Sequence, residues 1–440
     1  MKGIAPNQLT ASQARTLLTE DRLTARELLA AYLGRIHERD PEIRAWLAIS
    51  ENALSEADRL DSLPKDQRGR LHGLPVAVKD VFDTFDLPTT HNSPLYRGFQ
   101  PAADASAVEL LRLEGAIILG KTDTTEFAAC GRDAATANPL DTARTPGGSS
   151  AGSAAVVADF QAPLALATQT GGSTIRPASF CGIYGMKPSA GLVSREGVKL
   201  YSVSFDTVGW YGRSVEDLAL MADVYGITER LDASRVNADS LKIGITFGPY
   251  RDLLKPESVA ALEIAATRLR ESGHEVTFLD LPDEFEALDL YHRTILHREG
   301  AVAFRNLARR AGSSLHDEFH HRVENRDNRT LADWTAAQDG AAQAQMTFDA
   351  IASGFDLIVA PSAPGIAPLG RKPGDPVFNA MWTLLRVPCI NVPVPMTDVA
   401  MPVGVTLTSM RYNDVALLMA AAKVAPLLDP RMDNAWQIPL

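Results

Sequence analysis

Cysteine is nearly absent from this chain: three residues, Cys130, Cys181 and Cys389, among 440. They cannot all pair within one chain and their spacing matches no metal site, so neither a disulfide scaffold nor a cysteine-held zinc organises the fold. A reducing cytoplasm is the expected setting, and Cys181 reads as a small packed residue. No run of about twenty apolar residues occurs, and Met1 to Gln13 lacks the apolar centre of a secretory leader, so no membrane partner is expected. Positive charge is in deficit, with 43 Lys and Arg against 54 Asp and Glu and a formal charge of −11. That balance argues against a nucleic-acid or anionic-membrane surface, while one local arginine can still hold an anionic substrate.

Two patterns imitate binding motifs. His316 and His320 stand four apart with His321 following, but a zinc-protease helix needs Glu beside the first His and Asp317 stands there. No third ligand is evident, so a solvated helix face is expected and no metal. Gly115 to Thr122 formally satisfies a phosphate-loop pattern. Its interior, Ala-Ile-Ile-Leu, reads as a buried strand, and the preceding Ala107 to Leu113 has helical spacing, the reverse of the strand-loop-helix order that cradles phosphate. A nucleotide-binding protein using Gly115 to Thr122 is therefore kept as the reading from another class.

What the chain does have is two Gly/Ser-rich segments, Gly147-Gly148-Ser149-Ser150-Ala151-Gly152-Ser153 and Gln169-Thr170-Gly171-Gly172-Ser173-Thr174-Ile175-Arg176, with Ser149 and Ser173 24 residues apart. A serine nucleophile needs a route for its proton, donors for the developing oxyanion and a permissive turn. Gly171 and Gly172 offer unusual backbone angles and close substrate approach, so the amides of Thr170, Gly171, Gly172 and Ser173 can converge on one oxygen. Ser173 is the candidate nucleophile. No histidine lies near either segment, which leaves a Ser-His-Asp arrangement without local support. Lys79 ends an apolar strand-like run, Leu71 to Asp80, where burial disfavours the ammonium and makes the lysine a possible base.

On these residues the chain resembles the amidase signature family, strongly over residues 70 to 225 and weakly again at Leu241 to Ile245 and Met401 to Leu407. The resemblance implies that Ser173 is the nucleophile, Ser149 the relay serine, Lys79 the terminal base and Ser150 a support for Lys79, with a cis peptide between Gly148 and Ser149. It also implies amide hydrolysis in two halves, through a seryl acyl-enzyme that water then cleaves, with no cofactor. Gln169, where many members carry Asp, and Arg176, three positions after Ser173 rather than two, look like the malonamidase-like branch, as does Gly197 to Gly209. In that branch an arginine at this offset holds the substrate carboxylate, which suits a guanidinium fork. Arg176 and Gln169 are thus the expected substrate-binding residues, and the expected partner is a small amide, with a homodimer possible. Carbamate or ester hydrolysis uses the same machinery, and a transamidating subunit of a tRNA-dependent amidotransferase is a further alternative, against which stands the absence of a long partner-binding tail.

The coarse layout is a single α/β unit over 1–440 with α/β/α layers and a central mixed twisted sheet, as the resemblance implies. Helices are expected over 1–60 (Ala11 to Leu18; Thr24 to Arg39, capped by Thr24), and the signature core over 70–225. Val76 to Val81, Ala116 to Leu119 and Leu164 to Ala167 read there as strands, and Ala151 to Val157 as a small-residue helix. Residues 250–345 are charged and helical, with Glu257 to Glu271 and Leu331 to Asp349 as helices, and in the resembled family such a region shapes the substrate pocket. The chain rejoins the core over 356–425, through strands at Asp356 to Pro361 and Met401 to Thr408 and a helix from Asn413 to Lys423 stopped before Pro426.

Overall fold

A computed structural model describes residues 4–129, 131–228 and 240–433; Cys130 lies outside them. In chain order the elements are α1 (Ala11–Thr19), α2 (Ala25–Ile43), β1 (Trp46–Ile49), α3 (Ala53–Asp61), β2 (Pro75–Lys79), α4 (Ser106–Leu113), β3 (Ile117–Thr122), α5 (Ala151–Ala158), β4 (Leu164–Gln169), α6 (Ile175–Cys181), β5 (Tyr184–Lys187) and β6 (Thr207–Gly212). There follow α7 (Val215–Val224), β7 (Lys242–Ile245), α8 (Pro256–Glu271), β8 (Glu275–Phe278), α9 (Leu288–Ala311), α10 (Asp317–Val323), α11 (Leu331–Ala352), β9 (Leu357–Pro361), α12 (Val377–Leu384), β10 (Cys389–Pro393), β11 (Gly404–Thr408) and α13 (Asp414–Leu428).

The strands form one mixed sheet of eleven in the order β1-β3-β2-β4-β6-β5-β10-β11-β9-β7-β8. β2 runs parallel to β3 and to β4, with Ala77 opposite Ala165, while β4 is antiparallel to β6. β2, β3 and β4 are buried at every position, as the apolar residues that open each one require of strands covered on both faces. Helices α5, α6, α7 and α8 pack on the sheet, and α13 lies against α7 and α8. α5 is all Ala, Val, Gly and Ser because it is buried throughout: a Cβ on Gly152 would stand 2.5 Å from the carbonyl oxygen of Ala45 and from the amide of Asp123.

Local signals explain most boundaries. Thr10 and Thr24 cap α1 and α2 in reciprocal boxes with Gln13 and Glu27. The expected strand through Val81 stops at Lys79, because the Val81 amide turns back onto the Lys79 carbonyl at 2.7 Å. Two prolines depart from expectation. α2 continues past Arg39 through Pro41, and α13 runs through Pro426 to Leu428 instead of stopping before it. In α13 the residues around the proline, Val424, Ala425 and Leu428, are buried, and that packing offsets the hydrogen bond proline cannot make.

Candidate active site

The carboxyl ends of β2 and β4 lie side by side, and there Lys79 sits fully buried. Its Nζ is 2.7 Å from Ser149 Oγ, 2.9 Å from Ser150 Oγ and 2.7 Å from Thr168 Oγ1. Burial pushes its pKa well below the usual lysine value, and the Asp206 carboxylate opposes that shift from a distance. Lys121, on the neighbouring strand, supplies the contrast: it too is buried, but its ammonium meets Asp80 at 3.0 Å. Lys79 has hydroxyls where Lys121 has a carboxylate. The Ser150 hydroxyl donates to the Thr168 carbonyl at 3.2 Å and therefore accepts from Lys79. Lys79 Nζ and Ser149 Oγ stand within hydrogen-bond distance, so a proton path between Ser149 and Lys79 is in place.

Ser149 follows a backbone that only small residues allow. Gly147 has a φ of +85°, and the Gly148–Ser149 peptide is cis. A Cβ on Gly147 would stand 2.9 Å from Cα of Pro177. The helix behind, α5, begins at Ala151.

Ser173 lies in the turn between β4 and α6, and the turn is held from outside by its carbonyls. His292 Nε2 bonds the Thr170 oxygen at 2.8 Å and Thr383 Oγ1 the Gly171 oxygen at 2.8 Å. The Arg176 amide bonds the Gly172 oxygen at 3.0 Å, and the Tyr211 hydroxyl the Ser173 oxygen at 3.3 Å. In a planar trans peptide the next residue's N–H points opposite to the carbonyl, so these bonds aim the amides of Gly171, Gly172 and Ser173 the other way. Among the described residues those three amides have no protein acceptor, which is the arrangement of a donor nest. Neither Gly171 nor Gly172 has a positive φ; space is what they provide, since Cβ atoms there would lie 3.3 Å from Pro376 and 3.1 Å from Arg176 Nη1.

Ser149, Thr170, Gly171, Gly172, Ser173 and Arg176 line one pocket, with Asp289, His292, Arg293 and His297 of α9 and Pro373 to Pro376 across from them. Among the described residues no hydrogen bond joins Ser149 to Ser173; such bonds often tighten only when substrate is bound. Arg176 is buried and donates through Nη2 to the Gly148 oxygen at 2.6 Å, while its Nε and Nη1 have no partner among the described residues. Burial lowers its pKa to about 10, so the guanidinium stays charged at neutral pH.

Gln169 is not placed to bind substrate. Its Oε1 accepts from the amides of Thr174 and Ile175, at 2.9 and 3.0 Å, and its Nε2 donates to Thr383 Oγ1, so the side chain caps α6 from beneath the turn. No histidine stands near either segment in sequence, but His292 reaches the serine turn from a point far along the chain. A carbonyl only accepts, so His292 Nε2 carries a proton and serves as a donor rather than a base. The phosphate-loop pattern is excluded: Ile117 to Thr122 is strand β3, and Lys121 is bound to Asp80, Thr89 Oγ1 and the Phe82 carbonyl. His316, His320 and His321 go separate ways, to the Glu318 amide, the Gly312 carbonyl and Asp327. Among the described residues no metal-ligating group is assembled and no helix is long and apolar enough to cross a membrane.

Five residues of the site escape the motif reading: Thr168, Asp206, Tyr211, His292 and Thr383. Thr168 precedes Gln169 directly, so the motif's edge held its signal; Asp206 lies inside the Gly197 to Gly209 stretch. Its Oδ1 accepts from Thr170 Oγ1 at 2.5 Å and its Oδ2 from the amides of Tyr201 and Ser202. Thr383 and His292 lie beyond any motif.

A large mixed sheet under helices, with a buried lysine among hydroxyls beside an amide-lined serine turn, places the chain among enzymes that act on C–N bonds. The chain belongs to the amidase family, whose model matches residues 27–418. It is 33% identical to a glutamyl-tRNA(Gln) amidotransferase subunit from Chloroflexus aggregans, over 93% of this chain and 94% of that one. Its fold matches the peptide amidase of Stenotrophomonas maltophilia with a TM-score of 0.79 at 28% identity, over 96% of this chain and 97% of that one. It also matches, with a TM-score of 0.84 at 28% identity over 94% and 98%, a structure described as an unexpected vestigial protein complex that reveals the origins of an s-triazine catabolic enzyme.

Proposed function

We propose that this chain cleaves the C–N bond of a small primary amide bearing a carboxylate, through an ester formed on Ser173. The observation that carries this reading is Lys79, buried without a carboxylate contact and bonded to Ser149, which lines the Ser173 pocket. As Ser173 Oγ attacks the amide carbon, its proton passes to Ser149 while Ser149's passes to Lys79; the proton returns to the leaving nitrogen, and ammonia departs. The oxyanion is taken by the Gly171, Gly172 and Ser173 amides. Water then repeats the attack on the ester and releases the acid. Arg176, which lines the pocket and stays charged at neutral pH, holds the substrate carboxylate in this reading.

A second reading is favoured by the names of the relatives: one component of an amidotransferase, in which the same ester forms but the released nitrogen is passed to an acceptor with the help of other proteins. Relatives spanning nearly the whole chain carry that name. The arginine clamp suits both, since glutamine and malonamate are both carboxylate-bearing primary amides. Ammonia release from malonamate, glutamine, a neutral aryl amide and the matching aryl carbamate separates the cases. The proposal expects turnover of a carboxylate-bearing amide that Ser173→Ala abolishes. Preference for the neutral amide or the carbamate would overturn the carboxylate specificity, and turnover appearing only when co-purified subunits are present would select the amidotransferase.

A further inference from the structure

We propose that His292, from the motif-poor stretch of the chain, is a positioning residue that aims the Gly171 amide at the oxyanion; the inference rests on Ser173 being the nucleophile. His292 is buried on α9, and its ring stacks on Phe205 with centroids 4.6 Å apart and planes at 15°. Its Nε2 lies 2.8 Å from the Thr170 oxygen. Because the Thr170 carbonyl and the Gly171 N–H belong to one rigid peptide plane, whatever fixes the first fixes the second.

α9 holds the same residue a second way. Glu299, two turns on, accepts from Ser202 Oγ and Ser204 Oγ at 2.5 Å each and from the Ser204 amide at 3.0 Å. That fixes the segment whose Asp206 receives the Thr170 hydroxyl at 2.5 Å. Carbonyl and hydroxyl of Thr170 are thus both tied to one helix. Thr383 and Tyr211 hold the later carbonyls from other elements, so the first amide of the nest depends on α9.

The test reads the rate of covalent labelling by a fluorophosphonate, which needs the serine and the donor nest but no knowledge of the natural substrate. His292→Phe keeps a stacking ring and removes the donor; His292→Gln restores an N–H near the same point. Losing one oxyanion donor costs about 10²–10³ in rate, so losing its holder is expected to slow maximal labelling about tenfold or more, with the half-saturating probe concentration within about twofold of wild type. His292→Gln is expected to recover most of that loss. Wild-type labelling by His292→Phe, or His292→Gln as slow as His292→Phe, would overturn the role of His292 alone. A wild-type protein that is not labelled, or Ser173→Ala labelled as fast as wild type, would overturn the nucleophile reading beneath it. Should His292→Phe not fold, Phe205→Leu unstacks the ring while keeping the donor; maximal labelling slowed severalfold supports the proposal and an unchanged rate refutes it.

Discussion

At the scale of single residues, the site turns on which groups are left without counter-charges. Lys79 is the clearest. A lysine in the unfolded chain titrates near its ordinary pKa of about 10.4, whereas burial lowers the folded value well below that. Between the two values the unfolded chain binds more protons, so the contribution of Lys79 to stability grows as pH rises through that window and is smallest below the folded pKa. The melting temperature of wild type relative to Lys79→Met is expected to rise with pH; a difference independent of pH would show that Lys79 stays protonated in the fold. The same substitution should lower kcat by about 10²–10⁴, the range for a lost general base, with wild-type activity falling on the acid side as Lys79 takes up a proton. Thr168→Val removes one of the three lysine partners at nearly constant volume, and a fall in kcat of about fivefold is expected, since a buried hydrogen bond is worth about 1 kcal/mol. Arg176→Met should raise KM for carboxylate-bearing amides more than for neutral ones, while any loss from freeing the Gly148 carbonyl falls on both alike. Equal losses on the two substrate classes would make Arg176 a purely structural residue.

At the scale of elements, the junction of β4, turn and α6 is held by groups from within it and from α9, α12 and β6. Gln169 closes the start of α6, and Gln169→Ala would leave the buried Thr174 and Ile175 amides without acceptors, a loss of about 1–3 kcal/mol. Denaturant unfolding should register it, and unchanged stability would mean that water replaces the cap. This junction also explains what was legible in advance. β2, β3, β4 and α5 were readable because they are buried on every side, so composition alone reports their state; the serines and Lys79 were readable because their neighbours are small and local. Gln169 sits in the same motif yet is misread, since its side chain points beneath the turn, a fact the spacing does not carry. β1, β8 and α12 are short or marginal in pattern and owe their form to neighbours, and the proline in α13 is tolerated through packing that sequence periodicity does not record.

At the scale of the whole molecule, one sheet brings together residues from opposite ends of the chain. Thr383 follows Gly171 by more than two hundred positions, and His292 follows Thr170 by more than one hundred. Such contacts leave no trace in local pattern, which is why the nest's amides were expected and their supports were not. Substrate choice belongs to the same category: the pocket's far wall is α9 and the Pro373 to Pro376 segment, and neither carries a motif. The likeness to amidotransferase components and to a protein complex makes protein partners a second whole-molecule question, to be read from co-purification and oligomeric state.

The central claim is a Ser173 ester fed by the Lys79 relay, and acid-quenched mass spectrometry of the protein mixed with an activated acyl ester tests it most directly. A single acyl adduct is expected, mapping to Ser173, absent in Ser173→Ala and formed far more slowly in Lys79→Met. An adduct on Ser149 or elsewhere, or one formed at the wild-type rate without Lys79, would contradict it.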